Sequence, residues 1–365
     1  LLLKKEVAEV LEKYGDERRT EIIKDYKEFA LEDIIAEEDV VVTISHGGFI
    51  KRFPVSGYRR QGRGGKGVTG AGTKEDDFIE HMFVASTHQY ILFFTDKGRC
   101  YWLKVHEVPE GGRTARGRSV VNLLDKDKDD NITAFVAVKE FREDQYLIMA
   151  TQKGTIKKTV LAAYGNVRKG GINAINLAAG DSLIEVKMTD GKNDIVIGTS
   201  HGFAIRFNEK DVRDMGRTAT GVRGVRLGKG DHVVGLLVIR NDQTTVLVVT
   251  EKGFGKRSDI NDYRITKRGG KGVITVKTTD KVGKLIAMME VVDRDELVII
   301  STQGMIIRQS VKDLRVMGRN TQGVRVIRLN DHDSIADIAR VVPEDDEEIN
   351  GNGNGNGKEI EPLLS

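Results

Sequence analysis

The sequence predicts an all-β protein: a six-bladed, propeller-like ring of strands, preceded by a short helix and followed by a disordered acidic tail. Three observations carry that reading. A segment of about fifty residues recurs six times, each recurrence opens on a β-branched run closed by a glycine turn, and each holds further apolar stretches enough for four strands. Repeats of that length made of short strands are the mark of propeller blades, and a closed ring of them leaves no open sheet edge. The runner-up, a linear β-solenoid, has shorter repeats.

At the N-terminus Val7, Val10, Leu11 and Tyr14 recur at helical spacing, so residues 1–14 are expected to form an amphipathic helix ended by Gly15-Asp16. Residues 23–38, rich in acids, read as a linker that completes a first segment, 1–38. The ring follows over 39–343. Each copy begins with a strand, as in Val40-Val41-Val42, Tyr90-Ile91-Leu92-Phe93-Phe94, Asp194-Ile195-Val196-Ile197, Thr245-Val246-Leu247-Val248-Val249 and Glu296-Leu297-Val298-Ile299-Ile300. The strand closes on Ser/Thr-x-x-Gly, at Ser45/Gly48, Thr95/Gly98, Thr151/Gly154, Thr199/Gly202, Thr250/Gly253 and Ser301/Gly304. Glycine supplies the positive φ of a tight turn, so this is a hairpin, and the basic residues that follow fall on its second strand. Fifteen residues after the glycine stands Arg63, Arg113, Arg217, Arg268 or Arg319, with Arg168 one residue early. Four residues further a second glycine recurs, at Gly67, Gly117, Gly221, Gly272 and Gly323, the third copy being shifted. The last segment, 344–365, joins Glu344-Asp345-Asp346-Glu347-Glu348 to Gly-Asn repeats and is disordered by composition.

Charge is unevenly placed. The chain carries 58 basic and 55 acidic residues, a net +3. Residues 1–38 hold 7 basic and 12 acidic side chains and residues 342–365 hold 1 and 7, which leaves 50 basic against 36 acidic, a net +14, on 39–341. Because the basic residues recur at one phase of the repeat, a closed ring would present them as a band around its rim, the footprint of a polyanion partner. A solvated charged face explains scattered lysines but not phased ones. The single cysteine, Cys100, excludes an internal disulfide and suits a reducing compartment. Leu1-Leu2-Leu3 is too short for a signal-peptide core, and no stretch reaches the roughly 18 apolar residues of a membrane span. A cytoplasmic protein without membrane contact is expected.

The first copy also contains a glycine-rich basic box, Gln61-Gly62-Arg63-Gly64-Gly65-Lys66-Gly67. Its glycines disfavour a regular strand or helix and expose backbone amides beside two cations, which makes a phosphate-gripping loop. Gly62-x-Gly64-x-x-Gly67 has the spacing of a dinucleotide fingerprint, but Thr69-Gly70-Ala71-Gly72 does not open the helix that fingerprint requires. A P-loop needs Ser or Thr after Gly-Lys, where Gly67 stands. The bland alternative is a flexible hairpin tip. Copy five repeats the box in shorter form, Lys267-Arg268-Gly269-Gly270-Lys271-Gly272, so the loop belongs to the blade design.

These residues resemble a family. The box is similar to the signature of the C-terminal region of DNA gyrase A, the DNA-cleaving polypeptide of gyrase, with Gly62 standing where that family often has a basic residue. The same resemblance runs through Tyr14-Gly15-Asp16-Glu17-Arg18-Arg19-Thr20-Glu21-Ile22, Glu38-Asp39-Val40-Val41-Val42-Thr43 and Val120-Val121-Asn122-Leu123-Leu124. It continues through Met215-Gly216-Arg217 and Met317-Gly318-Arg319-Asn320-Thr321-Gln322-Gly323-Val324, and covers all but about the last twenty residues. It implies a β-pinwheel, a six-bladed disc whose neighbouring blades exchange strands, with double-stranded DNA wrapped in a right-handed sense around the basic rim. It implies that the box serves supercoiling rather than cleavage or relaxation. The parent enzyme would be a bacterial type IIA topoisomerase, a heterotetramer with two copies each of gyrase A and gyrase B. By the same resemblance ATP and Mg²⁺ belong to that holoenzyme and no cofactor to this chain. The partners implied are double-stranded DNA, the upstream cleavage domain of the same polypeptide, and gyrase B. The active-site tyrosine would lie upstream, leaving this chain a non-catalytic fragment, monomeric in isolation and nucleoid-associated in the cytoplasm.

Candidate rim contacts are Lys51, Arg52, Lys157, Lys158, Arg206, Lys256, Arg257 and Arg308 on second strands, and Arg113, Arg116, Arg118, Arg168, Lys169, Arg217, Arg223, Arg268, Lys271 and Arg319 in loops. Blade two has Tyr101-Trp102 in place of a basic pair, so contact there is expected to be weaker or to come from Arg113, Arg116 and Arg118. The seven histidines are dispersed without metal-ligand spacing, and Asp181, Asp231 and Asp280, one per copy, read as turn caps rather than catalytic carboxylates. The acidic tail either competes with DNA for the rim or solubilises the chain. Two other readings remain. One is the C-terminal DNA-binding domain of the gyrase-A-like polypeptide of topoisomerase IV, a family with fewer blades or a degraded box. The other is a protein-binding propeller scaffold, which would show aromatic hot spots and less phased charge.

Overall fold

The β-branched runs that open each copy are buried on both faces, which is why they read as continuous apolar stretches rather than alternating ones. In a computed structural model that describes residues 2–16, 35–54, 79–112, 115–127, 129–166, 170–240, 243–303 and 305–341, they form the middle strands of six antiparallel sheets. The chain divides into two units, Leu1–Ala36 and Glu37–Ser365. In the first, helix α1 spans Leu2–Tyr14, as the spacing predicts, and the side chains of Val7, Val10, Leu11 and Tyr14 are exposed.

The second unit holds the strands. Copy one supplies β1 (Asp39–Ser45), β2 (Phe49–Pro54) and β3 (Ile79–Ser86); copy two supplies β4 (Tyr90–Thr95), β5 (Arg99–Lys104), β6 (Arg118–Ser119) and β7 (Ile132–Val138). Copy three follows with β8 (Tyr146–Thr151), β9 (Thr155–Val160), β10 (Ile172–Asn173) and β11 (Leu183–Thr189). Copy four contributes β12 (Asp194–Thr199), β13 (Phe203–Asn208), β14 (Val222–Arg223) and β15 (Val233–Ile239). Copy five contributes β16 (Thr245–Thr250), β17 (Phe254–Asp259), β18 (Val273–Ile274) and β19 (Leu285–Val291). Copy six ends with β20 (Glu296–Ser301), β21 (Ile306–Ser310), β22 (Val324–Arg325) and β23 (Ile335–Val341).

Each of the first five blades borrows its outermost strand from the next copy. The sheet orders are β3-β1-β2-β6, β7-β4-β5-β10, β11-β8-β9-β14, β15-β12-β13-β18 and β19-β16-β17-β22, whereas β23-β20-β21 has three strands among the described residues. The second recurring glycine of the sequence opens each borrowed strand. Gly221 sits at φ 105°, and a Cβ there would lie 2.6 Å from the Ile156 carbonyl of the receiving blade, so the approach admits only glycine. The hairpin motif has a second function at its hydroxyl. The side-chain oxygens of Ser45, Thr95, Thr151 and Ser301 accept from the backbone N–H four residues on, across the turn.

The apolar core lies between blades. Val40 and Val42 of blade one pack with Ile91 and Phe93 of blade two, and Leu92 and Phe94 with Leu147 and Met149 of blade three. The same pattern passes through Ile148 and Ile197, then Val196 and Val248, then Leu247 and Ile299. The ring closes: β23 lies beside β3, and His46 Nδ1 of copy one stands 3.6 Å from the Asp337 carboxylate of copy six.

Candidate nucleic-acid interface

The second-strand cations are turned inward. Lys51, Lys157 and Lys256 are buried, and each reaches the loop that enters from the next copy. Lys51 Nζ donates to the carbonyls of Gly112 (3.3 Å) and Ala115 (2.7 Å). Lys157 Nζ donates to Ala174 O (2.6 Å) and to the carbonyl of Arg217. Lys256 Nζ donates to Gly318 O (2.7 Å) and Arg319 O (2.5 Å). Burial lowers the pKa of all three ammonium groups, to about 8 for Lys157 and Lys256, with the Arg217 and Arg319 guanidiniums adding to the effect at those two.

The neighbouring position is likewise committed. Arg52 Nε donates to Val108 O at 2.9 Å and faces Glu110 at 3.6 Å, and Lys158 pairs with Asp214 at 3.0 Å. Arg206 bonds Asp194 (2.9 Å) and Ile260 O (2.9 Å), Arg257 bonds Leu314 O (2.8 Å) and the Asp293 carboxylate, and Arg308, more exposed, pairs with Glu296. Arg52, Lys158, Arg206 and Arg257 thus tie the segment entering from the next copy to its blade, whereas Arg308 stays within its own hairpin. Tyr101 in blade two occupies a position that is buried in blades one to five, and its ring packs where a Cβ on Gly171 would lie.

The loop cations point outward. Arg217, Arg268 and Arg319 are half-exposed, and each donates to the last residue of the preceding borrowed strand: Arg217 to Asn173 O (3.3 Å), Arg268 to Arg223 O (3.0 Å), Arg319 to Ile274 O (2.9 Å). Arg268 and Arg319 also bond the carbonyls of Asp211 (2.8 Å) and Asp262 (3.0 Å). Arg116, Arg118, Arg223 and Lys271 are exposed, with Arg116 stacked 3.7 Å over Phe49 and Lys271 4.3 Å from the Phe203 ring centroid. The box, residues 61–67, and Arg113, Arg168, Lys169 and the tail lie outside the described residues.

Two further sets of exposed cations escaped the sequence reading. Arg213, Arg264 and Arg315 recur 51 residues apart, as do Arg226, Lys277 and Arg328. That common interval was available in the sequence and would have found them; adjacency to the hairpin turn led instead to the inward-facing pairs. Of the repeated acids, Asp181 accepts from Lys153 N–H (2.9 Å) and Asp231 from His201 N–H (2.9 Å), so both cap turns, and Asp333 does the same for Gln303 (3.1 Å). Asp280 instead offers its carbonyl to Lys252. Among the described residues no group of three or more His, Cys, Asp or Glu side chains converges to hold a metal ion, and no helix is long and apolar enough to cross a membrane.

A closed ring of strand-exchanging blades, with Arg116, Arg217, Arg268 and Arg319 in the loops of copies two, four, five and six, defines a β-pinwheel with a cationic rim. The chain belongs to the DNA gyrase C-terminal domain, beta-propeller family, whose model matches residues 39–86, 89–138, 145–190, 193–240, 244–291 and 295–341. It is 45% identical over 350 residues to the DNA gyrase A protein of Staphylococcus aureus strain MRSA252, a match spanning 95% of this chain and 40% of that protein. Strain NCTC 8325 has a relative of the same name at 44% identity over 352 residues, 96% of this chain and 40% of that protein. Among solved structures, the C-terminal domain of DNA topoisomerase IV aligns with a TM-score of 0.75 at 26% identity, covering 86% of this chain and 96% of that one. The DNA gyrase A C-terminal domain aligns with a TM-score of 0.63 at 25% identity, covering 83% and 99%.

Proposed function

We propose that this chain is the DNA-wrapping part of a bacterial gyrase A protein. It binds double-stranded DNA along its rim and, within the holoenzyme formed with the upstream cleavage domain and gyrase B, enables ATP-dependent negative supercoiling in the cytoplasm. The observation that carries the reading is the phase of the exposed loop cations. Arg213, Arg264 and Arg315, Arg226, Lys277 and Arg328, and the half-exposed Arg217, Arg268 and Arg319 all recur at one interval of 51 residues through copies four, five and six. Bending a duplex site of 20–30 base pairs costs on the order of 1–6 kcal/mol, which a single patch does not offset. Phosphate contacts repeated blade by blade do, each releasing condensed counterions. Arginine and lysine on phosphates fix position without reading sequence, so wrapping should show little sequence preference. The box at residues 61–67 starts the wrapped path in this reading.

The test is the linking number of nicked circular DNA sealed while bound to the 365-residue chain. A positive shift that grows with protein concentration is expected. The structural likeness to the topoisomerase IV C-terminal domain favours a second reading, in which the shift is weak. No shift overturns both and leaves a protein-binding scaffold.

A further inference from the structure

Three residues after the turn glycine stand, in order around the ring, Lys51, Tyr101, Lys157, Ile205, Lys256 and Ile307, so lysine alternates strictly with a large apolar residue. The loops alternate in step. Copies two, four and six read Arg113-Thr114-Ala115-Arg116-Gly117, Arg217-Thr218-Ala219-Thr220-Gly221 and Arg319-Asn320-Thr321-Gln322-Gly323, while copies one, three and five carry Gly64-Gly65, Gly170-Gly171 and Gly269-Gly270. Strand exchange matches the two alternations. Blades one, three and five, which carry lysine, receive β6, β14 and β22 from the even copies; blades two and four receive β10 and β18 from the glycine-glycine copies.

The Gly170-Gly171 and Gly269-Gly270 loops lie down on apolar seats. A Cβ at Gly171 would come 2.6 Å from the Tyr101 ring and one at Gly270 3.5 Å from Ile205 Cδ1. The even-copy loops lack that glycine pair, and the lysine takes over. Lys157 bonds the backbone carbonyl of Arg217 itself, Lys256 those of Gly318 and Arg319, and Lys51 those of Gly112 and Ala115, on either side of Arg113. Burying an ammonium is costly unless its donors are satisfied, and a methionine would fill the same volume without that cost. The recurrence of lysine at three of six equivalent places therefore points to what its donors hold.

We propose that Lys51, Lys157 and Lys256 are positioning residues for DNA binding, Lys157 and Lys256 fixing the backbone from which Arg217 and Arg319 leave the rim and Lys51 fixing Gly112 and Ala115 at the equivalent place. This rests on the DNA-binding reading above. The repeating unit of the rim is then a pair of blades: a lysine-held arginine loop alternates with a glycine loop seated on an apolar side chain. Loops of the first kind are held by a buried ammonium, and those of the second by apolar packing.

The test uses the 365-residue chain with Lys157→Met, alone and combined with Arg217→Gln. Amide hydrogen exchange in residues 219–224 should accelerate at least tenfold in Lys157→Met, while residues 320–325, held by Lys256, keep the wild-type rate. Lys256→Met should give the reciprocal pattern, which keeps the test decisive if one variant fails to fold. Duplex DNA affinity should fall about three- to tenfold in Lys157→Met and show no further loss when Lys157→Met is added to Arg217→Gln. Unchanged exchange in 219–224 overturns the proposal. Additive affinity losses with a drop of about one in the salt slope also overturn it, because Lys157 would then itself contact phosphate. If the wild-type chain binds no duplex DNA, the DNA reading fails while the exchange pattern still decides whether the lysines hold the loops.

Discussion

Arg319 Nη1 donates to the backbone carbonyl of Ile274 at 2.9 Å, so the guanidinium of one rim loop grips the end of the strand borrowed one blade earlier. Arg268 and Arg217 repeat the bond on Arg223 and Asn173. The loops that carry the candidate DNA contacts are thus chained to one another. Arg319→Lys keeps the charge but loses the fork that spans Ile274 O and Asp262 O. It should cost about 1 kcal/mol of stability, measured by urea unfolding, and about threefold in duplex affinity. Wild-type values for both would contradict the chaining.

Gly221 and Gly216 offer a matched pair of substitutions. Gly221 combines φ 105° with a carbonyl 2.6 Å from any added Cβ, whereas nothing lies within 4 Å of a Cβ on Gly216. Gly221→Ala should destabilise by more than about 1 kcal/mol, beyond the ordinary range of glycine-to-alanine effects where the backbone suits alanine, and Gly216→Ala should be near neutral. Chemical denaturation of the two variants side by side checks this, and equal midpoints would refute the role of the exchange glycine.

The buried lysines make a pH prediction with a definite sign. Burial depresses Lys157 and Lys256 from 10.5 to about 8; Arg217 faces the first, and Arg319 and Asp262 the second. Between about pH 8 and 10.5 the unfolded chain binds more protons than the folded one, so their contribution to stability rises with pH, by up to about 1.4 kcal/mol per pH unit for each lysine. The melting temperature of the wild type relative to Lys256→Met should therefore climb between pH 7.5 and 9.5. A flat or falling difference would exclude the depressed pKa.

The box is assigned by resemblance. Arg63→Ala combined with Lys66→Ala should reduce supercoiling by the reconstituted enzyme severalfold while sparing relaxation. Equal loss of both activities would remove its special role.

Much of the fold was legible because it rests on local chemistry. The β-branched runs, the Ser/Thr-x-x-Gly turns and the recurring second glycine each have a backbone reason visible in the residues themselves. Strand exchange was not legible from the residues alone: Val222-Arg223 is too short to announce itself as a strand, and its partner, Thr155-Ile156, lies more than sixty residues away. The site divided the same way. The phase of the charge was readable, but which cations face solvent depends on carbonyls such as Ala174 and Leu314, brought near Lys157 and Arg257 only by folding. Lysine-arginine pairs beside a turn look like contacts until those acceptors appear. The less conspicuous Arg226, Lys277 and Arg328 are exposed.

The most direct measurement is therefore the linking number of nicked circles sealed on the 365-residue chain, compared with the same chain bearing Arg226→Gln, Lys277→Gln and Arg328→Gln. The wild type should give a positive shift, and the triple variant should lose most of it, with its salt slope lowered by roughly two to three and its melting temperature unchanged. A shift of equal size in both proteins, or none in the wild type, would contradict the phased rim as the surface that wraps DNA.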